Sequence, residues 1–313
     1  MRAQRIFLTG ATGAMGCAII AHLVNDGHTV TGTVRTDTGA SLVSALGGTP
    51  VRVDLFDPVA LVAAMAGSDV VAHFATRIPV GFAATRVRAW ADNDRLRRET
   101  TTHLIAAATA AAIPRFIFES ITLAYPDKGQ TWIDETQALD PVSPVMHSAL
   151  DAEALLADFV ARGGEPLVLR FGRLYGAGRA SADLIEGVRR RRLPVIGAGD
   201  NLVSSIHVDD VGRAVTAALS ALPGVYNVVD DAPLTQREWM LCVATALDAP
   251  APRTVPRRLA RLALGHVARV LTVSHRISNQ RFCAAANWQP AHPSARVGWP
   301  AVVGRAEPGT VAA

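Results

Sequence analysis

The sequence predicts an α/β fold, a Rossmann-type doubly wound parallel sheet followed by a smaller C-terminal substrate lobe. Up to about residue 173, segments rich in β-forming residues alternate with segments of helical length and period, the pattern of repeated βαβ crossovers. A glycine-rich turn joins the first strand to the first helix. Half of the 313 residues are apolar, which is enough for a real core. The expected strands are residues 6–9, 28–34, 51–53, 70–74, 115–118 and 167–171.

The first helix is expected over residues 14–25. Met15, Ile19 and Leu23 share one face at helical spacing, which is typical of a helix packed on a core. Gly27 stands just past the expected end, where a left-handed backbone is common.

The chain changes character after residue 173, where Gly and Pro become denser and the strand-helix rhythm breaks up. The segment from Val203 to Asp210 and the Ala-rich helix that follows it, to Leu222, could return to the first domain. We therefore predict a Rossmann domain at 1–173 joined by 203–224, a substrate-binding lobe at 174–202 and 225–300, and a loose tail at 301–313.

Charge and cysteine content exclude several classes of protein. The 31 basic and 27 acidic side chains give a net charge of only +4, too even a balance for an electrostatic nucleic-acid binder. The three cysteines are far apart in the sequence, a spacing that indicates neither a disulfide framework nor a zinc site. We therefore expect no metal. The sequence shows neither a signal peptide nor a long apolar run, so we expect a cytoplasmic protein that does not bind membranes. We expect it to be a monomer or homodimer and to act on a small molecule.

The turn after the first strand reads Thr-Gly-Ala-Thr-Gly-Ala-Met-Gly over residues 9–16. Glycine permits the sharp turn and lets a pyrophosphate approach backbone N–H groups, while the helix N-terminus favours the anion. The alternative is a tight turn that binds no ligand. If the turn binds a dinucleotide, the contacts are expected from Gly10, Thr12, Gly13, Ala14, Met15 and Gly16.

The residue that would contact the adenosine ribose stands about 20 residues beyond this turn. The segment reads Thr33-Val34-Arg35-Thr36, with no acid at the strand end. An arginine here suits a 2′-phosphate, so NADP(H) is favoured over NAD(H). The alternative is that Arg35 is one more solvated arginine.

Further short motifs follow in a fixed order: Val53-Asp54-Leu55, His73-Phe74-Ala75-Thr76, Leu169 to Gly176, Ile206 to Asp210, and Tyr226-Asn227-Val228. With the glycine turn, they resemble the extended short-chain dehydrogenase/reductase group, which includes nucleotide-sugar epimerases, dehydratases and dihydroflavonol-type reductases. The resemblance covers nearly the whole chain. It implies further cofactor contacts from Asp54, Leu55, Phe74, Ala75, Thr76, Phe171 and Gly172.

The family's catalytic Tyr-x-x-x-Lys pair is absent. Lys128 is the only lysine in the sequence, and the residue four positions before it is Ala124. Alignment by Pro144 and a helix acid places Val145 at the tyrosine position and Ala149 at the lysine position. The chain therefore resembles the atypical subgroup that keeps the cofactor fold without the pair, including actinobacterial oxidoreductases.

Substitute catalytic groups are expected at the end of the fifth strand. Ser120, Thr122 and Tyr125 lie at or just beyond the carboxyl edge of the sheet, where open α/β folds bind ligands. Glu119 could act as acid or base if burial raises its pKa. The alternatives are a strand-end glutamate bonded to a loop amide and a tyrosine retained for packing.

Two further candidates lie on the helix that lost the pair, and a third follows the next strand. Ser148 shares the face of Val145, whereas His147 points about 200° around the helix at 100° per residue. We expect Ser148 to be the catalytic candidate and His147 a substrate contact. Arg173 stands where related enzymes contact cofactor or substrate, with a surface ion pair as the equal alternative.

These observations favour an NAD(P)H-dependent oxidoreductase that acts on a small carbonyl or enone compound with a non-standard proton donor. One alternative is a redox-neutral epimerase, dehydratase or cyclase that retains its cofactor. Another is a non-catalytic protein that senses NADP(H).

Overall fold

The computed structural model describes residues 2–305, apart from the side chain of Arg305, and its centre is a parallel β-sheet. The strands are β1 (Arg5–Thr9), β2 (Thr29–Val34), β3 (Thr49–Arg52), β4 (Val70–His73), β5 (Arg115–Ile121), β6 (Trp132–Ile133), β7 (Glu165–Phe171), β8 (Arg173–Tyr175), β9 (Val195–Ile196), β10 (Leu202–Val203), β11 (Ser205–His207), β12 (Gly224–Val228), β13 (Leu234–Thr235), β14 (Thr254–Val255) and β15 (Arg276–Ile277). Seven of them form the central sheet in the order β12-β7-β5-β4-β1-β2-β3, every neighbouring pair being parallel.

Helices connect these strands and cover both faces of the sheet. They are α1 (Ala14–Asn25), α2 (Asp37–Ala45), α3 (Pro58–Met65), α4 (Ala91–Arg95), α5 (Thr101–Ala110), α6 (His147–Ala161), α7 (Arg179–Arg189), α8 (Val208–Ala218), α9 (Gln236–Ala246), α10 (Arg257–Leu264), α11 (His266–Thr272), α12 (Gln280–Ala286) and α13 (Ala295–Arg305). Short 3₁₀ turns occur at Gly81–Thr85, Val87–Trp90, Thr122–Ala124 and Pro144–Met146, and a π-helical turn at Leu96–Thr100 joins α4 to α5.

The core divides into two layers because side chains of a strand alternate between its faces. On β1, Ile6 and Leu8 pack with α1 and α8 on one face, whereas Phe7 packs with α3, α5 and α6 on the other. All three side chains are almost fully buried. Each face of the sheet therefore has its own apolar layer, and the doubly wound fold expected from the sequence is confirmed.

The first helix has the bounds expected from the sequence, Ala14–Asn25. Gly27 has φ +83°, which makes glycine the natural residue at this position. Helix α8 packs against α1, and the central sheet continues through β12 to Val228, beyond residue 224.

The C-terminal boundary differs from the expectation. Helix α13 runs from Ala295 to Arg305, so residues 301–305 are helical rather than a loose tail. Trp299 on this helix is fully buried against Tyr175 and Trp239, with ring centroids 5.2 and 5.3 Å away, and this packing fixes the helix. Residues 306–313 lie outside the described residues. Within the described part of the chain, no helix combines the length and apolar character needed to cross a membrane.

Candidate active site

A cavity of about 780 Å³ lies at the carboxyl ends of β1, β2 and β4. This volume suits a cofactor-sized ligand, and the edge is where open α/β sheets bind ligands. Its lining comprises Gly10, Thr12, Gly13, Ala14, Met15, Gly16, Thr33, Val34, Arg35, Arg52, Val53, Asp54, Leu55, Phe56, Phe74, Ala75, Thr76, Arg77, Ile78, Leu96 and Leu174. The six expected residues of the glycine turn are therefore brought together with Arg35 and the expected contacts at 54–55 and 74–76.

The glycine turn is shaped by backbone contacts that leave no room for a side chain. Gly10 has φ +75°, and a Cβ there would lie 2.4 Å from the carbonyl oxygen of Phe74. A Cβ on Gly16 would lie 2.2 Å from the carbonyl oxygen of Gly10. Gly13 caps α1 without a side-chain hydrogen bond, and the first turn of the helix carries no acid. The N–H groups at this helix start are thus free of a side-chain cap, and an anion such as a pyrophosphate fits them.

A buried hydrogen-bond chain fixes the strand ends beneath the cavity. The Thr9 hydroxyl accepts hydrogen bonds from the N–H groups of Phe74 and Ala75, at 3.2 and 3.3 Å, and lies 2.7 Å from His73 Nδ1. Nε2 of the same ring lies 3.2 Å from the Thr100 hydroxyl oxygen. Burial lowers the pKa of His73 to about 3, so the ring is neutral, with Nδ1 accepting from Thr9 and Nε2 donating to Thr100. The chain holds the ends of β1 and β4 in register.

Two arginines stand at the edge of the cavity where the adenosine ribose is expected. Arg35 follows β2, and Arg52 ends β3 and forms an ion pair with Asp37. Val34 is the register partner of Arg52, so both guanidinium groups belong to neighbouring strand ends. The sequence reasoning missed Arg52, although the expected order of adjacent strands would have placed it beside Arg35. Leu96 and Leu174 were also missed, because they enter the lining from segments distant in sequence.

Phe171 and Gly172 stand behind the cavity lining. The Phe171 ring packs against Phe74, with centroids 6.0 Å apart, and is 3% exposed. The Gly172 N–H donates to the carbonyl oxygen of Val228, and a Cβ there would lie 2.8 Å from the carbonyl oxygen of Ser204. Neither residue lies in the cavity lining, in contrast to the cofactor contacts expected at these two positions.

Ser120 and Tyr125 belong to a buried polar network on the far side of β5. The Tyr125 hydroxyl donates to Asn227 Oδ1 at 2.9 Å and accepts from Arg170 Nη1 at 2.7 Å. Arg170 forms two hydrogen bonds with Glu153, which also accepts from the Ser120 hydroxyl. Burial raises the pKa of Tyr125. Neither hydroxyl lies in the cavity lining, and the network satisfies polar groups that join β5, β7, β12 and α6.

Glu119 and Thr122 are also enclosed. Glu119 accepts two hydrogen bonds from Arg97 Nη2, at 2.9 and 3.2 Å, and the side chains of this ion pair are only 6% and 4% exposed. Burial raises the pKa of Glu119 against the opposing charge of Arg97. Thr122 donates to the Phe171 carbonyl oxygen at 3.2 Å and is 2% exposed. The partner of Glu119 is therefore a buried arginine rather than the loop amide considered from the sequence.

The positions that the catalytic pair would occupy form an apolar wall. Val145 is 3% exposed and Ala149 1%. Val145 packs with Trp90 and Met146, and Ile121 lies against this cluster. Neither position therefore carries a group that can donate or accept a proton.

Ser148 and His147 have different surroundings on α6. The Ser148 hydroxyl is buried and has no hydrogen-bond partner among the described residues, and it lies outside the cavity lining. His147 is exposed, and its Nδ1 lies 3.1 Å from the carbonyl oxygen of Pro144. The structure thus separates the two residues as the helical period predicts.

Arg173 begins β8, and the next residue, Leu174, lies in the cavity lining. Its guanidinium stacks over the Trp239 ring, 5.5 Å from the centroid, and has no ion pair with any carboxylate of residues 2–305. Burial lowers the pKa of Arg173 to about 10. The surface ion pair considered from the sequence is therefore not what holds this side chain.

The sequence profile of the NAD dependent epimerase/dehydratase family matches residues 6–228. The chain is 34% identical over 305 residues to a 3-diazoavenalumate denitrifying reductase from Streptomyces sp, covering 94% of this chain and 99% of the relative. It is 27% identical over 306 residues to a 2-alkyl-3-oxoalkanoate reductase from Shewanella oneidensis, covering 90% of this chain and 75% of the relative.

Solved structures support the same fold. The UDP-glucose 4-epimerase of Thermotoga maritima, solved with UDP-glucose, matches with a TM-score of 0.80 at 20% identity, over 96% of this chain and 97% of that one. The dTDP-glucose 4,6-dehydratase DesIV of Streptomyces venezuelae, solved with NAD, also gives a TM-score of 0.80, at 19% identity over 96% and 95% of the two chains. At this identity the likeness concerns the fold alone.

Proposed function

Because the chain belongs to the NAD dependent epimerase/dehydratase family and is an NAD(P)-dependent oxidoreductase of the short-chain dehydrogenase/reductase type, we propose that it reduces an acceptor that needs no protonated tyrosine. The observation that carries the proposal is the apolar wall of Val145 and Ala149. NADPH, when bound in the cavity, supplies a hydride.

A protein acid is needed when hydride transfer creates a strong base. Reduction of a ketone produces an alkoxide, and a positioned acid speeds such a step by about 10²- to 10⁴-fold. The expected hydroxyl donors Ser120, Thr122 and Tyr125 are enclosed by protein partners, so they do not supply an evident acid. An acceptor that is already cationic leaves no base behind after the transfer.

A diazonium group is such an acceptor. The hydride replaces the nitrogen at carbon, the C–N bond breaks and neutral dinitrogen leaves, so that R–N₂⁺ and NADPH give R–H, N₂ and NADP⁺ without a proton. The name of the Streptomyces relative, a denitrifying reductase of a diazo compound, supports this class of acceptor. We propose a diazonium compound as the substrate.

The residues of the cavity suit hydride transfer to a diazonium compound because they would bind the cofactor and keep water out, without having to transfer a proton. The uncapped start of α1 would hold the pyrophosphate, and Arg35 with Arg52 would hold a 2′-phosphate, which favours NADP(H). The exposed apolar Ile78 at the cavity mouth would exclude water from an electrophile that water destroys.

The test is NADPH oxidation with benzenediazonium and, in parallel, with ketones and enones. We expect oxidation to match dinitrogen release mole for mole, above the rate without protein, with deuterium from labelled NADPH in the arene. Gly10→Val, which blocks the cradle, is the control. Turnover of ketones with a solvent isotope effect, and none of the diazonium compound, would contradict the proposal. Cofactor that is bound but never consumed would instead support the redox-neutral alternative.

A second variant addresses the wall itself. Val145→Tyr with Ala149→Lys rebuilds the pair in the covered position. We expect no rise in turnover, because the new groups would have to displace Trp90 and Met146 and an acceptor that needs no proton gains nothing from them. A marked rise in the turnover of ketones would show that the apolar wall reflects the loss of a catalytic pair rather than an adaptation to another acceptor.

A further inference from the structure

A second cavity lies at the carboxyl edge of the sheet, beyond the outermost strand β12. Its volume is about 970 Å³, which suits a small organic ligand. Its walls come mostly from β6 and the residues after it, from the residues after β12, and from β15 with the start of α12. The cavity shares no lining residue with the cofactor cavity. Cofactor binding and hydride transfer therefore leave it without a role.

The lining of this second cavity is acidic. It carries four carboxyl groups and one guanidinium, that of Arg281. The guanidinium stacks over the Tyr226 ring, 5.4 Å from the centroid. Within residues 2–305, none of the four acids forms an ion pair with this arginine or with any other cation. The acids without a counterion are Asp134, Glu135, Asp230 and Asp231.

Two of these acids stand on the turn that follows β6. Asp134 is exposed, and its Oδ1 accepts hydrogen bonds from the N–H and the hydroxyl of Thr136. Oε1 of Glu135 accepts from the N–H of Asn227 at 2.7 Å. Neither acid receives a hydrogen bond at its second carboxylate oxygen from residues 2–305. One oxygen thus orients each carboxylate, and the other is left for a ligand.

The other two acids follow β12 and show the same division. Asp231 is exposed, and its Oδ1 accepts from the side-chain amide of Asn279 at 2.8 Å. Asp230 is only 1% exposed, and its Oδ2 accepts from the Ser205 hydroxyl at 2.8 Å, whereas its buried Oδ1 has no hydrogen-bond partner among residues 2–305. Burial, together with the charge of Asp231, raises the pKa of the Asp230 carboxyl. A buried carboxyl oxygen without a donor is costly, and a cationic ligand would supply one.

The spacing of the acids and an aromatic surface indicate the kind of cation. No three of the carboxyl groups bring an oxygen within 4.8 Å of the others, so they are too far apart to surround one metal ion. Trp132 is 49% exposed and lines the cavity. Arg276 stacks over its ring at 4.3 Å without lining the cavity, so the part of the indole that meets the cavity is not the part that Arg276 covers. An extended cation with an aromatic ring fits this arrangement.

We propose that the second cavity binds an aromatic compound that carries an amidinium or guanidinium group. The unbonded oxygens of Asp134, Asp230 and Asp231 accept from its N–H groups, and Trp132 contacts its ring. Hydrogen bonds between such cations and carboxylates are roughly twice as strong as those between neutral groups, and ring contacts add to them. The proposal goes beyond the proposed function and does not depend on it, because the two cavities have separate linings.

Calorimetric titration tests the proposal on the full chain saturated with NADP⁺, so that the cofactor cavity is occupied. The probes are benzamidine, the neutral benzamide of nearly the same shape, and benzoate, all at constant ionic strength. We expect benzamidine to bind at least about tenfold more tightly than benzamide, and benzoate not to bind. Equal affinities for amidine and amide, no binding of benzamidine, or its displacement by magnesium ions would overturn the proposal.

Three variants assign the preference to this cavity. Asp230→Asn and Asp134→Asn should each reduce the preference for benzamidine over benzamide, whereas Asp158→Asn, an exposed acid on α6 outside the lining, should keep it. The melting temperature is measured for each variant. If Asp230→Asn is unstable, the exposed Asp134→Asn decides alone. A preference that survives in the folded Asp134 and Asp230 variants, or that falls equally in Asp158→Asn, would contradict the assignment.

Discussion

The cofactor cavity and the end of β5 lie at the same edge of one sheet. They differ in whether their polar groups are available to a ligand. At the cavity, backbone N–H groups of the glycine turn and the side chain of Arg35 stay open to a ligand. At the end of β5, Glu119 and Tyr125 are enclosed by protein partners. The difference teaches that a polar side chain at a sheet edge is available for chemistry only when no neighbouring element has already bonded it.

The largest effect should come from breaking an enclosed pair. Arg97→Met leaves Glu119 buried without its counterion, which should lower the free energy of unfolding by about 3–5 kcal/mol near neutral pH. The control Arg179→Met removes an exposed pair with Asp183 within α7 and should cost no more than about 0.5 kcal/mol. Urea denaturation measures both.

The pH dependence of the Arg97→Met deficit follows from the raised pKa of Glu119. A carboxyl whose folded pKa exceeds its unfolded value is favourable below the unfolded pKa and loses that contribution as pH rises through the folded pKa. Without Arg97 the rise should be larger, so the deficit should shrink at pH 5 and grow at pH 8. Arg97→Met with Glu119→Gln should recover most of the stability, and a deficit independent of pH would contradict this account.

The open side of the comparison is tested by Arg35→Ala. A charge-assisted contact with phosphate contributes about 1.5–3 kcal/mol, so NADPH should bind roughly ten- to a hundredfold more weakly while NADH changes little. Arg88→Ala, a surface change outside the cavity lining, is the matched control. If fluorescence titration shows both cofactors weakened equally, Arg35 does not select the 2′-phosphate.

The sequence alone was sufficient to predict those features that depend on backbone geometry. Gly10 and Gly16 are required because a Cβ at either position would overlap a backbone carbonyl oxygen, and the structure places both in the cavity lining. The fold followed from local patterns for the same reason. Side-chain roles were harder to infer: the partner of Glu119 lies 22 residues away on another element. No local pattern reveals such a pairing, and none reveals that Arg173 lacks one.

The smallest effect is expected at Tyr125, where two explanations give opposite results. Tyr125→Phe removes the hydroxyl that joins Arg170 to Asn227, so the free energy of unfolding should fall by about 1–3 kcal/mol. Its turnover should stay within a few-fold of the parent, because the hydroxyl is fully enclosed and burial raises its pKa, which disfavours the phenolate. A catalytic tyrosine would show the reverse, a loss of about 10²- to 10⁴-fold in rate. Parallel measurement of melting temperature and initial rate separates the two, with Tyr226→Phe, whose hydroxyl donates to the Leu222 carbonyl oxygen, as the matched control. A large loss of rate in Tyr125→Phe with unchanged stability would identify Tyr125 as a catalytic residue. It would contradict the division between an open cavity and an enclosed strand end.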